Sequence, residues 1–186
     1  GNNVAIGWKA LQDQNAGADA YNIAIGYEAG KEVTTGVQNT IIGGLAGDGL
    51  TTGNNNVAVG YLALSVEDAG SNNVAIGTKA LTLMDAGADA YNTAVGHNAG
   101  LNVSTGTKNT LIGGLAGDAL TTGIQNVAIG YGAISTEDAH GKNVAIGYNV
   151  LNAQDAGADA YNVAVGYDAG LSVSTGVKNI LVGGLA

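Results

Sequence analysis

The chain has 186 residues, with 32 Gly, no Pro, no Phe and no Cys, and its 15 acids against 6 Lys and no Arg give a net charge of −9. Glycine does not recur at every third position and proline is absent, which excludes collagen; 46% apolar residues in periodic order exclude simple disorder. Without Arg there is no bidentate phosphate fork and no basic patch, so neither nucleic acid nor an anionic bilayer is an expected partner.

Along the chain the dominant element is a short motif, Asn-x-(Ala/Ile/Leu)-(Ile/Val)-Gly. It opens at Asn3, Asn22, Asn39, Asn56, Asn73, Asn92, Asn109, Asn126, Asn143, Asn162 and Asn179. Successive positions differ by 17, or by 19 at every fourth step, so the whole pattern begins again at Asn73 and at Asn143. A short fixed period marks a rung that cannot bury its apolar face alone and must stack on its neighbours. The chain therefore reads as one all-β domain over residues 1–186, a parallel β-solenoid of about eleven coils. Its super-repeats are 1–70, 71–140 and a truncated 141–186. The chain opens without Met and closes inside a coil, so it is expected to be a segment of a longer fibre. No stretch approaches the roughly 20 apolar residues of a membrane span, and membrane insertion is not expected.

Within a rung such as Asn56-Val57-Ala58-Val59-Gly60-Tyr61, Val57, Val59 and Tyr61 share one parity, and Asn56, Ala58 and Gly60 the other. This two-residue alternation of β-branched and aromatic residues predicts a strand with one bulky and one small face. Helix is disfavoured because a glycine in every run would cost about 1 kcal/mol each. A small residue recurs three places after the motif glycine, as at Ala46, Ala63 and Ala80, with Val150 the exception. The chain then returns through turns such as Thr34-Thr35-Gly36 or Ser104-Thr105-Gly106. Each coil is thus expected to hold about two short strands and two turns. At roughly 4.8 Å per stacked strand the rod is about 50 Å long. Which face lies inside is left open by the pattern.

The asparagine column is expected to be a structural ladder, each amide bonding its neighbours or capping a turn one rung away. The third rung of each super-repeat departs from the type: Ile41, Leu111 and Leu181 put bulk on the small face where Gly44, Gly114 and Gly184 replace the aromatic. That correlation reads as a repacked narrow core or an inter-chain contact. The two extra residues of the long units lie in Ala-Gly-Ala-Asp-Ala-Tyr at 16–21, 86–91 and 156–161. Asp19, Asp89 and Asp159 would protrude there along one edge, as solvated acids or as contacts for a cation or a receptor.

Tests for chemistry point away from an enzyme. Gly43-Gly44-Leu45-Ala46-Gly47-Asp48 lacks the Lys and following helix of a phosphate loop. Asp48 and Asp118 stand too far apart in the repeat to make the ligand ladder of a calcium β-roll. His97 and His140 occupy unrelated repeat positions, and a lone His is neither metal site nor general base. The adjacent acids Glu67-Asp68 and Glu137-Asp138 recur at equivalent places in successive super-repeats, as decoration would, whereas a glycosidase needs one asymmetric pair. No cofactor is implied. An ice-binding face would need a continuous lattice, but Thr-Thr-Gly or Ser-Thr-Gly occurs in only five turns.

The run Asn-Val-Ala-Ile-Gly-Tyr-x-Ala, followed by Thr-Thr-Gly and a further Asn-Val-Ala-Val-Gly, resembles the head repeats of YadA-like trimeric autotransporter adhesins. It is also similar to repeats of bacteriophage tail-fibre proteins. The resemblance covers the whole chain, although YadA-type coils are shorter than the coils here. It implies a left-handed β-roll, three copies side by side, and an extracellular shaft or head that attaches to a host-cell surface receptor or glycan. A homotrimer has an independent motive: with two apolar faces per strand and one roll interior, the other face needs a partner. A monomeric solenoid that binds ice, a cation or a glycan is the alternative reading.

Overall fold

The computed structural model describes every residue except Ala18, Glu137 and Asp138. Eleven three-residue strands run in chain order: β1 (Val4–Ile6), β2 (Ile23–Ile25), β3 (Thr40–Ile42), β4 (Val57–Val59), β5 (Val74–Ile76), β6 (Thr93–Val95), β7 (Thr110–Ile112), β8 (Val127–Ile129), β9 (Val144–Ile146), β10 (Val163–Val165) and β11 (Ile180–Val182). All are parallel, and each pairs only with its predecessor and successor in one sheet, so the chain is a β-solenoid. Each strand opens one residue after a motif asparagine. The register is constant: Ala24 faces Ile41 across β2–β3, and Ala75 faces Ala94 across β5–β6, although the latter pair is joined by a long unit. The two extra residues are therefore absorbed outside the sheet.

The expectation of two strands per coil is corrected to one. Beyond the motif glycine the chain bends through residues with positive φ, such as Leu62 (56°) and Leu64 (53°) in the coil of Asn56. A left-handed non-glycine residue costs about 1–2 kcal/mol, and although Gly or Asn occupies some of these positions, Leu, Lys, Glu or Ile at others carries no turn signal. Their backbone groups nevertheless pair up and down the stack. Leu62 N–H donates to Gly44 O at 3.1 Å, and Leu64 N–H donates to Ala80 O at 3.0 Å. The coil-to-coil ladder thus continues around the bend, leaving few donors to lose.

The motif glycine is required by two constraints at once. Gly43 has φ of 136°, which side-chain-bearing residues rarely adopt, and a Cβ there would lie 2.5 Å from Gly60 O in the next coil. Stacked glycines let successive backbones close on each other.

The small face is the interior. Ala24, Ala58, Ala75 and Ala94 are fully or almost fully buried, as are Ala46, Ala63 and Ala80 on the opposite wall. A further inward column lies eight residues after each asparagine, filled by Leu64, Leu81, Ile134 and Leu151 in some coils and by glycine in others. This column explains the odd third rung. A Cβ on Gly30 would lie 2.8 Å from the Ile41 side chain, and one on Gly117 would lie 2.7 Å from the Leu111 side chain. Ile41 and Leu111 therefore fill space that Gly30, Gly47, Gly100 and Gly117 vacate. Of the two readings of the third rung, the packing is that of a repacked narrow core, its bulk matched by these inward glycines.

Candidate functional site

The asparagine column comes first because it separates scaffold from surface. From Asn22 to Asn162 every motif asparagine is buried. Asn39 N–H donates to Asn22 Oδ1 at 2.8 Å, and Asn39 Nδ2 donates to Gly53 O at 2.9 Å. The same pattern recurs at Asn56 and Asn109. Asn3 and Asn179 hold the ends, Asn3 Oδ1 accepting from Asn22 N–H and Asn179 N–H donating to Asn162 Oδ1, each at 2.8 Å. Where both amide atoms are engaged internally, as at Asn39, Asn56 and Asn109, the asparagine acts as scaffold and presents no free group to a ligand.

The long coils disturb it locally. The usual acceptor is a carbonyl of the returning turn, as Gly53 O is for Asn39, and the insertion carries that carbonyl away. Asn73 Nδ2 turns to Ser71 O at 3.2 Å, while Asn143 Nδ2 is buried without an acceptor. Sequence reasoning also passed over an inward position eleven residues after each asparagine. Apolar Val33, Leu50, Val103 and Leu120 fill it in four ordinary coils, but Gln154 occupies it in a long one, where its Oε1 accepts at 2.7 Å from Asn162 Nδ2, an amide that also keeps its usual acceptor, Gly176 O.

The outer face carries the bulk. In β4 the burial pattern is half-buried Val57, buried Ala58, half-buried Val59, and the other internal strands follow it with minor variation. Two β-branched or Thr columns thus run the length of the sheet on its solvent side, uninterrupted by any charge. An aromatic column flanks them: Trp8, Tyr27, Tyr61, Tyr131, Tyr148 and Tyr167 are between 43% and 60% exposed, enough for a partner to cover. Trp8 stacks on Tyr27 with centroids 5.1 Å apart, and Tyr131, Tyr148 and Tyr167 form a continuous stack at 5.6 and 5.3 Å. Rings at this spacing are fixed by the coil repeat, so the face is rigid as well as apolar.

The three insertion loops lie outside this stripe, and the structure gives each of their aspartates a different partner. Asp19 faces the amino group of Gly1 at 3.5 Å, Asp89 accepts from Tyr91 Oη at 3.2 Å, and Asp159 pairs with Lys142 Nζ at 2.5 Å. The Lys142 ammonium, which also reaches Tyr161 Oη, holds the Asp159 carboxyl below the usual carboxylate range. Among the described residues no three His, Asp or Glu side chains converge as a metal-binding set. Asp48 and Asp118 stand elsewhere, at the bend. Burial raises the pKa of both, and nearby Glu32 and Glu28 add to the effect at Asp48.

The paired acids behave differently from surface decoration. Asp68 is exposed and accepts from Thr51 Oγ1, but Glu67 is fully buried. The signal that could have found it is its place in the inward column of Val33 and Leu50. Glu137 and Asp138 lie outside the described residues. His97 is exposed, and His140 lies at a bend where its carbonyl accepts from Asn126 Nδ2 at 3.1 Å. Two depressions of about 410 and 370 Å³ lie against the first and last coils, away from the middle of the sheet face. No protein-family model, curated protein or solved structure matches this chain.

Proposed function

We propose that the chain is a structural and adhesive segment of an extracellular trimeric fibre, a phage tail fibre or bacterial adhesin head. In this reading three left-handed rolls pack side by side through their outer sheet faces and present the insertion loops for attachment to a host surface. The observation that carries it is the inverted packing: mainly alanine inside, and outside two uncharged columns of Val, Ile and Thr along all eleven strands, flanked by Trp8 and five Tyr. Eleven strands at about 4.8 Å, with three alternate residues across, give a face of about 50 by 14 Å, or about 700 Å². Stable interfaces bury about 800 Å² per partner, so one such face is of the right order. The absence of charge along the stripe in a chain of net charge −9 favours contact with a like apolar face over a solvated role.

Sedimentation equilibrium tests this directly. The intact chain is expected at three times its 18.2 kDa mass, and Ile76→Lys with Ile129→Lys, both on outer positions, at the mass of one chain with unchanged circular dichroism. A single-chain mass for the unaltered protein at all concentrations would refute the assembly. It would turn attention to the second reading, a monomeric glycan-binding solenoid, which the half-exposed aromatic column favours.

A further inference from the structure

The second insertion loop poses a packing problem that the asparagine ladder does not solve. Residues 85–89 lie largely toward solvent before Ala90 returns to the core, which leaves space at the base of the loop, where Asn73 has already lost its usual acceptor. The side chain that fills this space comes from the preceding coil. Glu67 is fully buried; its Oε1 accepts from Gly70 N–H at 2.7 Å and its Oε2 from Ala86 N–H at 3.4 Å. The N–H of Gly87 also acts on the carboxylate. Gly70 is shaped for the arrangement, since a Cβ there would lie 2.4 Å from the Glu67 carboxyl carbon. A carboxylate is costly to bury without partners, and every partner here is a backbone N–H of its own turn or of the loop.

From this geometry we infer that Glu67 is the fastener of the 85–90 loop, and that the loop is held more tightly at mildly acidic pH than at neutral pH. The first half follows from the bonds. The second follows from which state binds the proton better. Were the loop to lift, Glu67 would meet water and titrate as an ordinary glutamate. Closed, its pKa is raised, chiefly by burial, and Asp85, the charged group facing it from the loop, pushes the same way. Asp68 beside it is engaged with Thr51 in the coil before, and Asp89 with Tyr91 at the loop surface. Because the closed form has the greater proton affinity, lowering the pH through the raised value favours closure, and raising it loosens the loop. The device stands apart from assembly, because it joins two coils of one chain.

Hydrogen exchange at the Ala86 and Gly87 amides, corrected for the intrinsic pH dependence of exchange, tests it on the full chain. Protection is expected to rise from pH 7.5 to pH 5 in the unaltered protein. Glu67→Gln, uncharged and of equal size, is expected to abolish that rise, and Gly70→Ala, which unseats the carboxylate, to lower protection roughly tenfold at both pH values. Protection that rises equally in Glu67→Gln, or that falls on acidification of the unaltered chain, would overturn the inference. The Gly36 and Gly106 amides, which donate to Thr51 O and Thr121 O, serve as internal reference for global opening.

Discussion

Leu111 offers the sharpest test of how the narrow interior is filled. Its side chain is fully buried and lies against the space above Gly100 in the coil before and Gly117 in its own. Truncation by Leu111→Ala removes a fully buried Leu side chain opposite glycines, leaving only Leu81, Val103 and Leu120 to close part of the space. The expected cost is about 3–4 kcal/mol. Gly117→Leu alone forces a Cβ to within 2.7 Å of Leu111 and is expected to cost about 2–3 kcal/mol of overpacking, plus about 1 kcal/mol for the left-handed backbone. The double variant restores the pairing of Ala58 with Leu64, whose φ of 53° is close to the 58° of Gly117, but Leu120, 2.8 Å from the same Cβ, must still move aside. It should recover all but about 2–3 kcal/mol, a coupling of roughly 3 kcal/mol or more. Equilibrium urea denaturation at fixed protein concentration reads this, with the slope checked against the unaltered chain, because repeat arrays can lose two-state behaviour. Additive costs in the double variant would show that Leu111 and Gly117 do not share volume.

Gly60→Ala is expected to prevent folding or to lower the melting temperature severely, because φ is 136° and the added Cβ would lie 2.5 Å from Gly77 O; circular dichroism decides. Ala128→Leu should cost about 1–3 kcal/mol by overpacking against Ile134, while Val127→Leu on the outer side of the same strand leaves the urea midpoint nearly unchanged. Stability should rise as pH falls from 7 to about 4. Asp48, Glu67 and Asp118 all have folded pKa values raised by burial, so their contribution is complete below the ordinary carboxylate range and is lost as pH rises through the raised values. Asp159, held low by Lys142, works the other way, but only where pH falls below its ordinary range. Urea midpoints lower at pH 4.5 than at pH 7 would contradict this sign.

The solenoid was readable because one motif marks both strand position and coil length: each strand opens after its asparagine, and insertions leave the register of Val74 with Thr93 intact. The bends were not readable. Leu62, Lys79 and Glu28 adopt positive φ without the glycine or asparagine that would announce it, because coil-to-coil hydrogen bonds hold them there. The inside and outside of the strand could not be assigned from parity either, since both faces are apolar. The structure settles it: the Ala column of the internal strands is fully buried, while the Val, Ile and Thr columns on either side of it are half-buried or exposed. The inward position of Glu67 was hidden for another reason: within one super-repeat the same site holds Val33, Leu50, Glu67 and Met84, so no single residue type marks it from coil to coil.

The interlocks between neighbouring coils restrict how such a chain can change its size. Ile41 needs Gly30 behind it, Glu67 needs Ala86 ahead of it, and Gln154 reaches Ser174 O in the following coil at 3.1 Å. Deleting a single coil would set mismatched neighbours together, with leucine against isoleucine or a carboxylate beneath an ordinary turn. Removing or duplicating a whole super-repeat restores every junction. Length variation in this architecture is therefore quantised, and a fibre built from it gains or loses reach in steps of four coils, about 19 Å.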